Sequence, residues 1–186
     1  VLLHRDIAAN FLALFVPAVE KLRLGNPLDE ETDVGPMITE EAAIRAEEWI
    51  KEALSRGARL LTGGGRKGNR VVPTVLTHVD RGMKVVCHEV FAPVVTIQEY
   101  GTIEEAIGMV NDSEYGLQAG IFTSDITTAF KVAREAQVGG VMVNDTSMYR
   151  ADLMPYGGVK SSGTGREGPR YAIEEMTDLK TVVLNL

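Results

Sequence analysis

The sequence predicts an α/β protein in three layers (α/β/α), with a mostly parallel sheet between layers of helices. Between Val94 and Asn144, short runs rich in β-branched residues alternate with longer runs whose apolar residues recur at helical spacing. The connections are short, and strands that alternate with helices in this way pair in parallel through right-handed crossovers. With 186 residues, 45% of them hydrophobic, the chain is long enough to bury a core.

Local patterns place the elements of this second half. We expect strands at residues 94–100, in "LQAGIFT" and in "GGVMVN". Thr102 and Glu105 have the spacing of a capping box at the start of the first helix, and Asp125 is a suitable cap for the second. The residues of the second helix that we expect to face inward are Ile126, Ala129, Phe130 and Ala133.

The first half is less regular. We expect a helix at residues 5–22 that is kinked or divided near Val16, because Pro17 inside a helix costs about 3 kcal/mol. A second helix is expected at residues 39–56, closed by Gly57. Its expected buried stripe is Ala42, Ala43, Ala46, Trp49, Ile50 and Ala53. Two extended segments around a mobile glycine-rich turn follow, and the final "KTVVLNL" is predicted to be a lone strand.

Composition and charge argue against several classes of protein. The net charge of −7 and the pI of about 5.0 disfavour contact with a nucleic-acid backbone. No apolar run approaches the roughly 20 residues that span a bilayer, and no metal-ligand spacing is present. One cysteine excludes an internal disulfide and fits a reducing compartment, so we expect a cytoplasmic protein. The chain opens without Met and looks like the middle of a longer protein.

The single cysteine is followed by a histidine and a glutamate, as a nucleophile with its base would be. If Cys87, His88 and Glu89 are extended, however, successive side chains point to opposite faces, which separates the thiol from the imidazole. Free cysteine is also among the most buried residue types. We therefore expect a buried, structural Cys87. A hydrolase that uses Cys87 and His88 is the alternative, and thiol titration distinguishes the two.

The segment from residue 145 to residue 168 is the strongest candidate for a functional loop. It runs for more than twenty residues without periodicity and follows the carboxyl end of a predicted parallel strand, where α/β sheets place their sites. It contains "GTGREG", which formally matches G-x-G-x-x-G. No strand directly precedes this match, and no acidic residue lies about 20 positions beyond it, so it is a poor dinucleotide-binding turn.

Three stretches resemble the aldehyde dehydrogenase superfamily. "EVFAPV" is similar to the family pattern E-x-F-G-P-V, and "PYGGVKSSGTGRE" is similar to P-F-G-G-x-K-x-S-G-x-G-R-E. "LGNPLDEETDVGPMI" near the start also resembles the family, so the likeness covers essentially the whole chain. Ala92 stands for the usual glycine and Tyr156 for the usual phenylalanine.

The resemblance implies roles for particular residues. Glu89 matches the glutamate that binds the nicotinamide ribose, and Phe91 matches an aromatic residue near the nicotinamide. Arg45 stands where the family often has a cationic residue near the adenosine ribose. Tyr156 matches an aromatic residue of the substrate tunnel, and Glu167 matches a glutamate that relays protons or positions water.

Two of the loop residues have alternative roles, and the resemblance implies one further contact for a third. A carboxylate favoured at a helix start is an equal alternative for Glu167. Arg150 can hold a carboxylate or a phosphoryl group bidentately, or can simply pair with Asp152 on the surface. The resemblance also implies that Arg166 pairs with Asp178 and ties the loop to the last strand.

The resemblance further implies what the parent protein does. It is expected to oxidise an aldehyde to a carboxylic acid with NAD or NADP, on a small hydroxylated or anionic substrate. Residues 1–176 are expected to belong to the catalytic domain and residues 177–186 to form an oligomerisation strand, so a homo-oligomer is expected. Cys87 does not match the family nucleophile, so we predict that the isolated chain is inactive and holds no cofactor tightly. The alternative is a non-catalytic binding or oligomerisation module.

Overall fold

The computed structural model describes all residues, 1–186, and divides them into two compact units, Val1–Thr102 and Ile103–Leu186. The helices are α1 (Arg5–Glu20), α2 (Glu40–Ser55), α3 (Lys84–Cys87), α4 (Ile103–Asn111), α5 (Ile126–Glu135) and α6 (Pro169–Met176). The strands are β1 (Leu2–His4), β2 (Arg59–Thr62), β3 (Arg66–Lys67), β4 (Arg70–Val71), β5 (Thr74–Thr77), β6 (Val94–Thr96), β7 (Gln98–Tyr100), β8 (Tyr115–Gly116), β9 (Gln118–Ile121), β10 (Gly140–Val143) and β11 (Val159–Lys160). The α/β class predicted from the sequence is confirmed.

The first unit has β5 at the centre of its largest sheet, with β2 antiparallel on one side and β6 parallel on the other. The predicted strand at residues 94–100 is divided at Ile97. Its first part, β6, pairs with β5, whereas its second part, β7, pairs with β1 in parallel. The backbone N–H of Ile97 donates to the carbonyl of Leu76 at 2.8 Å, and the Ile97 side chain is fully buried. Residues 94–100 therefore contribute to two sheets, and the buried Ile97 holds the chain in place where it passes from one sheet to the other.

Helix α2 supplies one wall of the main core. Thr39 caps it by accepting a hydrogen bond from the backbone N–H of Ala42, and its acidic first turn suits the positive end of the helix dipole. Ile50 and Ala53 pack with Leu76 and Met83 in one buried cluster. The predicted stripe is confirmed, except that Trp49 is only partly buried. Complete burial of a side chain such as Ile50 contributes about 1.5–3 kcal/mol.

Helix α1 runs without a break through Pro17, so of the two predicted outcomes, a kink or a division, the division into two short helices was wrong. Pro17 lies in the last turn, and the carbonyl of Ala13 loses the hydrogen bond that a residue with an N–H would make. Both residues lie on the exposed side of the helix, where loss of this hydrogen bond costs less than it would in the core. His4 caps the start of the helix, with Nδ1 accepting from the backbone N–H of Asp6.

The glycine-rich segment between β2 and β5 is a small antiparallel hairpin of β3 and β4, held on both sides by hydrogen bonds. The backbone N–H of Gly64 donates to Thr74 Oγ1 at 2.9 Å, and that of Met37 donates to the carbonyl of Asn69 at 2.7 Å. Gly63 has φ +82°, and a Cβ there would lie 2.2 Å from the carbonyl of Pro73. The conformation therefore requires glycine at this position.

In the second unit, β9 and β10 pair in parallel, with α5 between them in the chain. Asp125 caps α5 as predicted, accepting from the backbone N–H groups of Thr127 and Thr128. The predicted inward face is wrong for three of its four residues, since Ile126 and Phe130 are 67% and 60% exposed and Ala133 is exposed as well. Ala129 and Val132 are the buried residues of this helix, so its inner face is rotated from the one predicted.

The last ten residues form neither helix nor strand, so the predicted strand in "KTVVLNL" is wrong for this structure. Pairing requires a neighbouring strand, and none lies beside this segment. Its apolar side chains are exposed instead, with Leu179 and Leu186 fully so and Val182 70% exposed. The boundary after residue 176 coincides with the end of α6, and the separate role of residues 177–186 stays a prediction.

Candidate functional site

The loop at residues 145–168 packs its backbone directly against the strands of the second unit. A Cβ added to Gly139 would lie 1.7 Å from the carbonyl oxygen of Gly157, far inside any possible contact. A Cβ on Gly120 would lie 2.6 Å from the carbonyl oxygen of Asp145. The glycines before and within β9 and β10 therefore determine how closely the loop approaches them.

A short strand and an arginine fix the middle of the loop. Strand β11 pairs with β8, and Lys160 Nζ donates to the carbonyl of Asn111 at 2.7 Å. The guanidinium of Arg166 donates to the carbonyls of Gly158 and Gly165 at 2.9 and 2.6 Å. The predicted pair between Arg166 and Asp178 is not formed, because Arg166 binds these carbonyls and Asp178 lies in the irregular last segment.

Three of the predicted site residues lie together at the end of this loop. The backbones of Tyr156 and Glu167 form an antiparallel bridge, with N–H to O distances of 3.1 and 2.6 Å. A guanidinium nitrogen of Arg150 lies 2.7 Å from Glu167 Oε2. The guanidinium carbon of the same residue lies 4.3 Å from the centre of the Tyr156 ring. We call Arg150, Tyr156 and Glu167 the loop cluster.

The contacts within the loop cluster are individually weak. The side chains of Arg150 and Glu167 are 48% and 64% exposed, and an ion pair in such a position contributes about 0–1 kcal/mol. A guanidinium over a partly exposed tyrosine ring such as that of Tyr156 contributes about 0.5–1 kcal/mol. Arg150 pairs with Glu167 and not with Asp152, so the surface pairing considered from the sequence is wrong.

In the first unit, two predicted cofactor residues follow α3. The carboxylate of Glu89 is exposed and makes no hydrogen bond or ion pair. Phe91 is 74% exposed and has φ +48°, a left-handed conformation that is costly for an aromatic residue. An unpaired acceptor and an exposed aromatic ring two residues apart have the chemistry to bind a ribose and a planar ring.

The third predicted cofactor residue, Arg45, lies on α2. Its guanidinium carbon is 5.8 Å from the centre of the Trp49 ring, which is 5.7 Å from the ring of His88. These three side chains form a row that sequence reasoning did not foresee. The spacing of Arg45 and Trp49, four residues apart on one helix, was the signal that was available.

Cys87 is exposed, so the prediction of a buried thiol was wrong. It ends the helical turn α3 instead of lying in an extended segment. Val85 is buried, and a residue two positions later on a helix points to nearly the opposite side. His88 contacts Trp49, and no hydrogen bond joins it to Cys87. The geometry therefore lacks the nucleophile and base that a cysteine hydrolase requires.

No group of His, Cys, Asp and Glu side chains is arranged to hold a metal ion. None of the helices combines the length and the apolar character needed to cross a bilayer.

Comparison with known proteins identifies the class. A family model described as the aldehyde dehydrogenase family matches residues 1–182, so the chain belongs to this family of oxidoreductases. A 3-sulfolactaldehyde dehydrogenase of Priestia aryabhattai is 55% identical over 183 residues, which are 98% of this chain and 38% of that protein. The chain thus spans about two fifths of the length of this curated relative.

Two solved structures have the same fold. The crystal structure of aldehyde dehydrogenase 21 from Physcomitrella patens, in complex with the reaction product succinate, matches 94% of this chain and 36% of its own, with a TM-score of 0.92 and 44% identity. Glyceraldehyde-3-phosphate dehydrogenase GapN of Methanocaldococcus jannaschii, complexed with NADP, matches 97% of this chain and 39% of its own, with a TM-score of 0.91 and 46% identity. The family resemblance seen in the sequence is confirmed.

Proposed function

We propose that this chain is part of a cytoplasmic, NAD- or NADP-dependent dehydrogenase that oxidises a small hydroxylated or anionic aldehyde to a carboxylic acid. Family membership supports the reaction type. The relative named for 3-sulfolactaldehyde and the structure holding succinate support the substrate class, since both molecules are small and anionic. A single cysteine with no disulfide partner supports the compartment.

The loop cluster carries the proposal for the substrate. Arg150 presents a guanidinium stacked on Tyr156, with several N–H donors left beside the one that contacts Glu167. A planar fork of donors matches a carboxylate, sulfonate or phosphoryl group. Tyr156 supplies an apolar surface for the carbon skeleton of the aldehyde. Arg150 is therefore the proposed anion-binding residue and Tyr156 the proposed substrate contact.

For Glu167 we propose the proton-relay or water-positioning role of the matching family residue. It immediately precedes Gly168, the residue that caps α6, so its position also suits a carboxylate at a helix start. That alternative remains, because both roles place a charged side chain at the same position. Glu167→Gln distinguishes them by two readouts: loss of a relay lowers kcat/KM of the full-length enzyme, whereas loss of a helix-start charge lowers the free energy of unfolding.

Glu89, Phe91 and Arg45 are the proposed cofactor residues. The unpaired carboxylate of Glu89 fits the two hydroxyls of a ribose, the exposed Phe91 ring fits a nicotinamide, and the guanidinium of Arg45 fits a polar nucleotide group. The cofactor, when bound, accepts the hydride of the aldehyde. Glu89 and Phe91 come from one short segment, so we infer that the 186-residue chain alone binds NAD or NADP only weakly. We also infer that it does not oxidise aldehydes, because Cys87 lacks a base.

The test compares aldehydes with and without a negative charge in the full-length enzyme. Arg150→Gln should lower kcat/KM for 3-sulfolactaldehyde by about 10- to 100-fold, the value of a hydrogen bond to a charged group. It should change kcat/KM for uncharged lactaldehyde much less. The control is Arg170→Gln, which removes the same charge from an arginine whose side chain is 80% exposed. Equal losses for both aldehydes would contradict the proposed role of Arg150.

We also propose that residues 177–186 take part in self-association. Their exposed apolar side chains, including Leu179, Val182 and Leu184, support a partner that covers them. Sedimentation should show that the chain forms dimers or larger oligomers, and that a variant with these three residues changed to serine is monomeric at the same concentration. A wild-type chain that sediments as a monomer would contradict this proposal.

A further inference from the structure

The loop cluster already contains an anion at the position that the substrate would take. We infer that Glu167 is an internal competitor for Arg150, so that a small oxyanion has to displace the Glu167 carboxylate from the guanidinium before it binds. This inference rests on the proposed function, in which Arg150 receives the anionic group of the aldehyde. It adds that anion binding and release of Glu167 are a single exchange.

The geometry gives one guanidinium two neighbours. The face of Arg150 is covered by the Tyr156 ring at 4.3 Å, which leaves its edge, where the N–H groups point, for a ligand. Glu167 Oε2 occupies that edge at 2.7 Å, the length of a charge-assisted hydrogen bond. Arg150 has no other ion pair. An incoming carboxylate or sulfonate has the same charge and the same acceptor atoms as Glu167, so the two compete for the same donors.

The pair is built in a way that allows this exchange. Both side chains are about half exposed or more, and ion pairs in such surroundings are weak and readily broken. The backbone of Glu167 is held separately, because its N–H and its carbonyl bond to Tyr156. Displacement therefore requires rotation of one side chain and leaves the loop in place. An uncharged ligand cannot replace the carboxylate, so the exchange favours anionic ligands over neutral ones of the same size.

The experiment measures binding of methanesulfonate to the 186-residue chain by NMR. The Nε–H signal of Arg150 and the side-chain carboxyl carbon of Glu167 are followed in one titration, with dimethyl sulfone as the uncharged ligand of the same shape. Both signals should shift with one midpoint for methanesulfonate, and neither should shift for dimethyl sulfone. A titration in which Arg150 responds and Glu167 does not would overturn the inference, as would no saturable response of Arg150.

A variant gives a second, independent measurement. Glu167→Gln should bind methanesulfonate about two- to fivefold more tightly than the wild type, because the competing charge is gone while the backbone bridge remains. The control is Glu174→Gln, which removes the same charge from a residue of the same unit that pairs with Arg170. Its affinity should change by less than about 1.5-fold, since Glu174 is exposed and pairs with Arg170 and not with Arg150. Backbone amide spectra confirm that each variant keeps its fold.

The results of these experiments distinguish a failure of the proposed displacement of Glu167 from a failure of the proposed aldehyde oxidation. Equal or weaker binding by Glu167→Gln, or an equal gain in Glu174→Gln, overturns the competition whether or not the enzyme oxidises aldehydes. Failure of the proposed function would be seen instead in the full-length enzyme, as no oxidation of either aldehyde. Binding of methanesulfonate requires neither cofactor nor nucleophile, so it reports on the loop cluster alone.

Discussion

Two of the residues proposed to bind the cofactor, Glu89 and Phe91, differ from the loop cluster proposed to bind the substrate in whether they already have partners. In the first unit, Glu89 has no partner and Phe91 is exposed in a strained backbone conformation. In the second unit, Arg150, Tyr156 and Glu167 already contact one another. A ligand at the first group adds contacts without breaking any, whereas a ligand at the second group replaces an existing one. The comparison shows that an exposed site can be open or can be occupied by its own side chains.

The largest expected effect concerns the backbone on which the loop cluster depends. Gly139→Ala places a Cβ 1.7 Å from the carbonyl oxygen of Gly157, so the loop has to move, and we expect a loss of stability of roughly 3 kcal/mol or more. Urea unfolding measures the loss, and amide signals of Tyr156 and Glu167 should shift while those of Glu89 and Phe91 stay unchanged. Amide shifts of equal size at Glu89 and Phe91 would contradict the view that the cofactor residues and the loop cluster are positioned independently.

A matched glycine in the same unit is the control for this prediction. Gly108 lies in α4, and a Cβ there would meet nothing within 4 Å. Gly108→Ala should stabilise the chain by about 0.5–1 kcal/mol, because alanine is the better helix former. A destabilising Gly108→Ala would mean that any added methyl group harms this unit, and the loss in Gly139→Ala would then say nothing about the loop.

An intermediate effect tests the strain at the cofactor residues. Phe91 has φ +48°, and its side chain is 74% exposed, so glycine relieves the strain while little burial is lost. We expect Phe91→Gly to raise the free energy of unfolding by up to about 1 kcal/mol in urea titrations, and to weaken cofactor binding in the full-length enzyme. A loss of stability would show that the ring supports the fold, and Phe91 would then resemble the self-contacting residues of the loop cluster.

The smallest effect is a pH dependence in the second unit. Hydrogen bonds from the hydroxyl and backbone N–H of Thr128 and the backbone N–H of Thr127 hold the pKa of Asp125 below its ordinary value of 3.8. Because the folded-state pKa is the lower one, the carboxylate stabilises the chain above about pH 3.8, and this contribution disappears as the pH falls through the folded-state pKa. Melting temperatures from pH 2 to pH 6 should fall at the acidic end.

Asparagine is the matched variant for this cap. Its single amide oxygen can still accept a hydrogen bond from the first turn of α5, and it does not titrate, so Asp125→Asn should melt at a less pH-dependent temperature between pH 2 and pH 4 than the wild type. Identical pH profiles for the two chains would assign the acid sensitivity to other carboxylates. The chemical shifts of the loop cluster should stay the same in this variant at neutral pH, since the hydrogen bonds of the Asp125 side chain go only to Thr127 and Thr128 in the first turn of α5.

Periodicity predicted those parts of the fold whose partners are local. Helix α2 was predicted closely because its cap and its stripe of small residues lie within one segment. The run at residues 94–100 was read as one strand because an apolar run does not show which neighbour each residue will join. The inner face of α5 was misplaced for a related reason, since Ile126 and Phe130 are apolar but exposed. Apolar character indicates a candidate for burial without specifying what covers it.

The residues proposed for the site were found through family patterns, whereas their contacts were not. Arg150 and Glu167 are 17 residues apart in a segment without regular structure, and their ion pair depends on the backbone bridge at Tyr156. No spacing rule connects residues across such a loop. The exposure of Cys87 was missed because the extended conformation assumed for it is a helical turn. Side-chain identity was therefore easier to predict than side-chain surroundings.

The bridge between Tyr156 and Glu167 consists of main-chain hydrogen bonds alone. Any residue except proline supplies the same N–H and carbonyl groups, so the bridge does not depend on which side chains are present at the two positions. The proposed substrate contacts can therefore be changed one residue at a time. Each such substitution changes a side chain, while the backbone bridge that positions it is unchanged.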